Sequence, residues 1–148
     1  MNYLWVKIVF ISGFILAGLS RAIFSGHKKG SNLAKEGLSI LVLLFFWGLS
    51  QVLVIVHFTT DLLSFADWQP PFLLQVAGVV IYAAGIVFHI VSHFYLGNNW
   101  SPGLDRGDYL VTNGIYSRIR HPMYTGFLLW SIGQAMMIQN LAAGLPGI

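Results

Sequence analysis

Three long stretches without a charged side chain constrain this sequence more than any other feature. Residues 37–60, 72–96 and 122–148 contain no Asp, Glu, Lys or Arg, and a fourth apolar segment runs through residues 8–20. Charged residues make up 9% of the chain, whereas soluble domains carry roughly 25%. Because the mean hydropathy is +0.71 and little polar surface is available to face water, the sequence indicates a membrane protein.

The apolar segments have the length of transmembrane helices, which need about 20 mostly apolar residues each. We predict an all-α fold, a polytopic transmembrane helical bundle in one domain, with four spans plus the start of a fifth. The predicted spans cover residues 3–25, 37–60, 72–96 and 122–140. Asn140 has the character of an N-cap for the fifth helix, of which the remaining residues would form only about 12 Å.

The first span also has features of a cleaved signal peptide, because it follows a lysine and ends in small residues. A retained helix is the simpler interpretation, since the segments that follow are themselves suited to a membrane. Interfacial tryptophans are expected near the span ends: Trp5, Trp68 and Trp100.

The connections between the spans differ in charge. Those at residues 26–36 and 97–121 are basic, whereas the one at residues 61–71 carries Asp61 and Asp67 and no Lys or Arg. Basic connections stay on the cytoplasmic side of a membrane. We therefore predict an integral membrane protein whose N-terminus lies outside and whose 97–121 loop is cytoplasmic.

The tract that leads into the fourth span concentrates polar, cationic and aromatic side chains. Asn113-Gly114 predicts a turn, and Pro122 suits the first position of a helix, with His121 as its N-cap residue. The free N–H groups of that helix end favour an anionic group, and aromatic walls would complete a receptacle for a small ligand: Tyr116, His121 and Tyr124. An ordinary interfacial loop, with Arg118 and Arg120 at lipid headgroups, is the alternative.

Two further features have structural and functional interpretations. His89 and His93 share one helical face, where they could be structural, line a ligand cavity, bind a metal or, with His57, hold a haem. We expect no metal, because the five histidines of the chain are scattered. Small residues in two spans are expected to permit close helix contact: Gly13, Ala17, Gly18, Gly78, Ala84 and Gly85.

Several classes of function are excluded by what the sequence lacks. The chain has no cysteine, so disulfides and thiolate chemistry are ruled out. It has no phosphate-binding glycine loop, no Gly-x-Ser-x-Gly element and no paired-carboxylate site. No aromatic residues interleave Lys28, Lys29 and Lys35, so these lysines indicate orientation in the membrane and no nucleic-acid partner.

The tract nevertheless resembles a known signature. Leu-Val-Thr-Asn-Gly-Ile-Tyr at 110–116, followed by Arg-His-Pro-Met-Tyr at 120–124, is similar to the signature of the isoprenylcysteine carboxyl methyltransferase family. Phospholipid methyltransferases and the C-terminal part of sterol reductases carry related versions. The resemblance extends forward through residues 125–134 and back to residues 97–101, so it is specific over about residues 96–140.

This resemblance implies S-adenosyl-L-methionine as the methyl donor, bound at the cytoplasmic membrane face. It also implies carboxyl O-methylation of a prenylcysteine-like or other lipophilic acceptor, with membrane lipids as the surroundings. The oligomeric state does not follow from it. The cofactor pocket maps onto nine positions, with Ser101 as a further polar contact: Asp108, Tyr109, Leu110, Val111, Tyr116, His121, Pro122, Met123 and Tyr124.

Family members continue with a fifth span and then an Arg and a Glu-Glu pair in a cytoplasmic helix. The present sequence reaches Ile148 before such residues occur. We therefore assign no catalytic residue and expect a fragment or a natural short form. The alternatives are a phospholipid N-methyltransferase, an NADPH-dependent oxidoreductase like the sterol reductases, and a non-catalytic homologue.

Overall fold

The computed structural model of the protein describes residues 4–24, 38–97 and 111–145. No strand occurs in these ranges, and one isolated antiparallel bridge joins Asp67 to Asn140. The predicted all-α class is therefore confirmed for the described residues. The five α-helices are α1 Leu4–Phe24, α2 Leu38–Thr59, α3 Phe72–Leu96, α4 Pro122–Met137 and α5 Leu141–Gly144, and single 3-10 turns span Ser64–Ala66 and Gly114–Ser117.

Two of these helices are long and apolar enough to cross a membrane, judged by length and composition. They are α1 with 21 residues and α3 with 25 residues. In α2 the described side chains form a shorter apolar stretch, Phe45–Thr59, and α4 has only 16 residues. Helices thus occupy all four predicted ranges, while a bundle of four membrane spans stays a prediction.

Glycines bring α3 and α4 into close antiparallel contact. A methyl group added to Gly85 would lie 2.5 Å from the Trp130 amide nitrogen, and one added to Gly78 would lie 2.8 Å from the Met137 amide nitrogen. The facing glycines of α4, Gly126 and Gly133, meet the α3 backbone in the same way. Contact through small residues lets helix backbones approach where lipid provides no hydrophobic driving force.

The small-residue prediction holds for part of the set. Gly78 and Gly85 lie in the α3–α4 contact, Gly13 packs against the Tyr82 ring, and Ala17 is buried. The prediction is wrong for Gly18, because within residues 4–24, 38–97 and 111–145 no atom lies within 4 Å of the position of an added methyl group. Gly18 is exposed on α1, so its position in the small-residue pattern does not indicate a helix contact.

Aromatic side chains fill the space between the helices. The Trp130 ring of α4 is 1% exposed and makes edge contacts with Tyr82 at 5.4 Å and Trp47 at 5.5 Å between ring centroids. The Tyr82 hydroxyl donates a hydrogen bond to the Phe10 carbonyl oxygen of α1 at 2.9 Å. These contacts join α1, α2 and α4 to α3. The buried Tyr82 hydroxyl has a hydrogen-bond acceptor, as a polar group in an apolar interior requires.

Contacts at the two ends fix the helix directions. At one end the Lys7 ammonium of α1 donates to the Phe58 carbonyl oxygen near the end of α2 at 3.0 Å, where a cation meets the negative pole of the helix. At the other end Phe24 and Phe94 stack edge to face at 5.6 Å. Therefore α1 runs antiparallel to α2 and parallel to α3.

The end of α4 differs from the prediction. The predicted span reaches residue 140, but the helix stops at Met137 because Ile138 is extended with a ψ of 130°. Trp68 stabilises this bend: its indole N–H donates to the Ile138 carbonyl oxygen at 3.2 Å, and its backbone N–H donates to the Gln139 carbonyl oxygen at 3.1 Å. The connection between α2 and α3 therefore sets where α4 ends.

Asn140 begins a further helix, as the sequence predicts. Its side-chain oxygen accepts from the Ala143 N–H at 2.9 Å, and its amide donates to the Asp67 carboxylate at 2.7 Å. The Gln134 side chain links this helix inward, because it donates to the Ala143 carbonyl oxygen and accepts from Gln51 of α2, both at 3.2 Å. Polar contacts of this kind between buried helices contribute about 0.6 kcal/mol each.

We expect Gly133→Ala to destabilise the protein and Gly18→Ala to leave it at least as stable. Alanine favours a helix over glycine by about 1 kcal/mol, but at position 133 the methyl group would collide with the Tyr82 backbone, and overpacking costs about 1–3 kcal/mol. The melting temperature of each purified variant in detergent measures the difference. A Gly133→Ala variant as stable as Gly18→Ala would contradict the close α3–α4 contact.

Candidate functional site at the start of α4

The predicted pocket residues that the structure describes lie where α3 ends and α4 begins. Asp108, Tyr109, Leu110 and the weaker candidate Ser101 lie outside the described residues. The six others differ in exposure, so they form a boundary between the interior and the surface. Pro122 is buried, while Val111, Tyr116 and Met123 are half-buried and His121 and Tyr124 are exposed.

The turn predicted from Asn113-Gly114 is present and is held against α3. Gly114 has a φ of +58°, a conformation that glycine adopts without strain. An added side chain would also collide with the Tyr95 ring of α3. The following residues form a 3-10 turn in which the Tyr116 N–H donates to the Asn113 carbonyl oxygen at 3.2 Å. The glycine therefore allows the tract to lie directly on the last turns of α3.

Tyr116 points from this turn toward α3. Burial raises the pKa of the half-buried Tyr116 above its usual value, and the nearby Ser92 side chain acts on this pKa in the opposite direction. The phenol therefore stays protonated at neutral pH. Ser92 is fully buried and its hydroxyl donates to the Phe88 carbonyl oxygen at 2.6 Å. Tyr116 consequently occupies the inner side of the tract.

The start of α4 has the form that the sequence predicts. Pro122 takes the first helical position, and His121 stands at the N-cap position without a capping hydrogen bond from its side chain. The N–H groups of Met123 and Tyr124 therefore receive no acceptor from His121, and such groups favour an anion. The exposed His121 and Tyr124 rings lie 5.6 Å apart. This helix end can present two N–H donors beside two aromatic faces.

The two histidines of α3 lie behind this helix start. His89 and His93 are buried on one face of α3 with ring centroids 4.6 Å apart, and Phe127 of α4 lies 5.2 Å from the His89 ring. His57 lies at the other end of the bundle, where its Nδ1 is 3.6 Å from the Asp67 carboxylate. Among the described residues no three His, Cys, Asp or Glu side chains are grouped as metal ligands.

Sequence reasoning missed two α3 residues that face the tract. Tyr95 packs on Gly114 and Ser92 lies near the Tyr116 side chain, and neither is among the predicted site residues. Both follow His89 at intervals of three residues, which places them on the same side of the helix. The sequence shows this spacing, but it does not show which loop residue each side chain faces.

The match to a known protein family covers the same part of the chain. Residues 73–146 match the family model described as phospholipid methyltransferase. The matched segment contains nearly all of α3, the 3-10 turn that carries Tyr116, α4 and α5.

Several curated proteins are similar to the chain. Protein-S-isoprenylcysteine O-methyltransferase A of Arabidopsis thaliana is 25% identical over 107 residues, which cover 70% of this chain and 54% of the relative. The Rattus norvegicus protein-S-isoprenylcysteine O-methyltransferase is 30% identical over 94 residues, 61% of this chain and 33% of the relative. The Homo sapiens protein of the same name is 29% identical, with the same coverage. The chain thus spans between a third and about half of the length of these relatives.

We expect Gly114→Ala to loosen the tract more than Gly97→Ala does. Both glycines have positive φ values, +58° and +47°, so alanine is strained at both positions. Position 114 adds a collision with the Tyr95 ring, whereas at position 97 no atom of the described residues lies within 4 Å of the added methyl group. Trypsin cleavage after the exposed Arg118 should be faster in Gly114→Ala. Equal cleavage rates would contradict the proposed contact with α3.

Proposed function

This chain belongs to the phospholipid methyltransferase family, and from that membership we propose that it is an S-adenosyl-L-methionine-dependent methyltransferase. The proposed reaction methylates a carboxyl oxygen of a prenylcysteine-like or other lipophilic acceptor at the cytoplasmic membrane face. The observation that carries the proposal is the family match over residues 73–146, because it includes the tract on α3 and α4. The similar proteins named as isoprenylcysteine O-methyltransferases support the oxygen as the methylated atom.

The described residues fit the chemistry of the proposed cofactor. Its amino-acid carboxylate suits the N–H groups at the start of α4, where His121 provides no side-chain cap. Its adenine suits flat aromatic surfaces such as the Tyr124 ring, which is 62% exposed. The proposed binding residues complete the set: Asp108, Tyr109, Leu110, Val111, Tyr116, His121, Pro122, Met123 and Tyr124. When bound, the cofactor supplies an electrophilic methyl group on a sulfonium.

The task of the protein in such a reaction is alignment and exclusion of water. Tyr116 stays protonated on the inner side of the tract, so it can shape the pocket without adding charge. A carboxylate acceptor is already ionised at neutral pH and needs no base. An amine acceptor would have to lose a proton to a base. His121 is the sole imidazole among the described tract residues, and it is already a proposed cofactor-binding residue. This supports a carboxylate, with the lipophilic part of the acceptor entering sideways from the bilayer.

The proposed placement in the membrane has four spans, an outside N-terminus and a cytoplasmic 97–121 loop. The helix directions support it, because the ends of α1 and α2 that meet through Lys7 lie opposite the ends of α1 and α3 that meet through Phe24 and Phe94. The exposed Arg118 and Arg120 lie at the latter end, where basic residues mark the cytoplasmic side.

We expect the purified protein to bind S-adenosylhomocysteine and expect His121→Ala and Tyr116→Ala each to weaken this binding by about tenfold, a loss of about 1.4 kcal/mol. Each substitution removes a proposed aromatic wall of the pocket. Isothermal titration in detergent measures the affinity. His57→Ala is the matched control, since it removes a histidine at the opposite end of the bundle and should leave the affinity unchanged.

Unchanged affinity in both pocket variants would favour the alternative interpretation, in which the tract is an ordinary interfacial loop. Binding of NADPH without S-adenosylhomocysteine would instead favour the oxidoreductase alternative. Once binding is established, transfer of a labelled methyl group distinguishes the acceptors. Transfer to a farnesylcysteine carboxylate supports the proposed reaction, whereas transfer to phosphatidylethanolamine would show a phospholipid N-methyltransferase.

Single cysteines can test the orientation, because the chain has none of its own. Phe65, which is 80% exposed, and the exposed Thr112 lie at opposite ends of the bundle. In intact cells a membrane-impermeant maleimide should label Phe65→Cys and should label Thr112→Cys only after the membrane is opened. The reverse pattern would invert the proposed orientation.

A further inference from the structure

We propose that Trp47, His89 and Trp130 form the subsite that binds the carboxylate of the lipophilic acceptor. These three residues are called the indole–imidazole cluster below. The inference rests on the proposed function and deepens it, because it assigns residues of this chain to the acceptor. The cluster lies outside the nine proposed cofactor-binding positions, and it joins α2, α3 and α4.

The rings of the cluster come from three helices and meet between them. The Trp130 ring of α4 lies 5.5 Å from the Trp47 ring of α2 and 6.2 Å from the His89 ring of α3, measured between centroids. Phe127, one helical turn before Trp130, lies 5.1 Å from the Trp47 ring and 5.2 Å from the His89 ring. Four rings thus lie together in the space between α2, α3 and α4.

The cluster carries three buried polar atoms: Trp47 Nε1, His89 Nδ1 and Trp130 Nε1. Within the described ranges of the chain, none of these atoms has a hydrogen-bond partner. The burial is deep, since Trp130 is 1% exposed and His89 is 6% exposed. Buried polar groups are nearly always hydrogen-bonded, because an unpaired one is costly. Three such atoms in one cluster therefore indicate a ligand that supplies their partners.

The chemistry of these atoms selects the ligand. An indole N–H donates and cannot accept, so both tryptophans require an acceptor atom. His89 adds a third donor when its proton is on Nδ1. Aromatic faces also attract cations, but a protonated amine offers donors alone and would leave both indole N–H groups unpaired. A carboxylate offers two oxygens with about four acceptor positions, and hydrogen bonds to such a charged group are the strong ones.

The cluster lies between the proposed cofactor pocket and the lateral surface of the bundle. Phe127 follows Pro122, the first residue of α4, by about 7.5 Å along the helix axis. Trp47 and Phe127 are half-buried, and their sequence neighbours Phe46 and Leu128 are 53% and 54% exposed. An acceptor whose chain lies in the bilayer can therefore reach the cluster from the side, while the start of α4 stays accessible to the proposed cofactor.

Trp47→Phe and Trp130→Phe test the proposal, because each removes an indole N–H and keeps an aromatic ring. We expect each to weaken binding of N-acetyl-S-farnesylcysteine by about tenfold or more, as loss of a hydrogen bond to a charged group does. The methyl ester of this compound is uncharged, so its affinity should fall by only about threefold. Isothermal titration of the full chain in detergent, without a methyl donor, measures these affinities.

Tyr82→Phe is the matched control. The Tyr82 ring also packs on Trp130, at 5.4 Å between centroids, but its hydroxyl already donates to the Phe10 carbonyl oxygen. This variant should leave the affinity for N-acetyl-S-farnesylcysteine unchanged. All three variants should keep the wild-type affinity for S-adenosylhomocysteine, because they lie outside the proposed cofactor pocket.

Unchanged affinity for the carboxylate in both tryptophan variants would overturn the subsite, and so would equal losses for the carboxylate and its methyl ester. If Trp130→Phe does not fold, Trp47→Phe decides, because its ring is only half-buried. The wild-type protein gives a second measurement: tighter binding of farnesylamine than of the carboxylate would show a site for a cation and refute the inference. A wild-type protein that binds no S-adenosylhomocysteine would instead refute the proposed function.

Discussion

Backbone contact between α3 and α4 is the constraint on which the rest of the structure depends. Four glycines, two on each helix, allow this approach: an added methyl group would come within 3 Å of the facing helix at Gly78, Gly85 and Gly133 and within 3.1 Å at Gly126. They recur every seven residues, Gly78 and Gly85 on α3 and Gly126 and Gly133 on α4, so they stay on one helical face along the whole contact. The start of α4, where the proposed pocket lies, is therefore fixed relative to the end of α3.

The opposite end of α4 is fixed by polar contacts and not by close packing. Asn140 and Trp68 tie the segment after Met137 to the connection between α2 and α3. Residues 138–140 are buried, so the backbone donors and acceptors that the bend frees must find partners within the protein. With one end held by glycines and the other by this hydrogen-bonded connection, α4 has little freedom to slide along α3, which preserves the geometry of the tract.

The sequence predicted most of the fold because long apolar segments and helix-end residues indicate helices directly. Apolar length gave the four helical ranges to within a few residues, Pro122 gave the start of α4, and Asn140 gave the cap of α5. The end of α4 at Met137 was not predictable from the helix itself, because it depends on Trp68, about 70 residues earlier in the chain. Spacing alone does not separate Gly18 from Gly13: Gly13 meets the Tyr82 ring, whereas no described residue approaches Gly18.

The proposed pocket shows the same division between local and distant causes. The turn at Gly114 and the helix start at His121-Pro122 follow from local chemistry, and both are present. The contact of Gly114 with the Tyr95 ring joins a loop to α3, so it needed the packing of the whole bundle to become visible. Tyr116 faces α3 while Tyr124 is exposed, and this places the tract across the border between interior and surface. A border of this kind suits a reaction in which one reactant is water-soluble and the other is lipophilic, since each can reach the same helix start from its own phase.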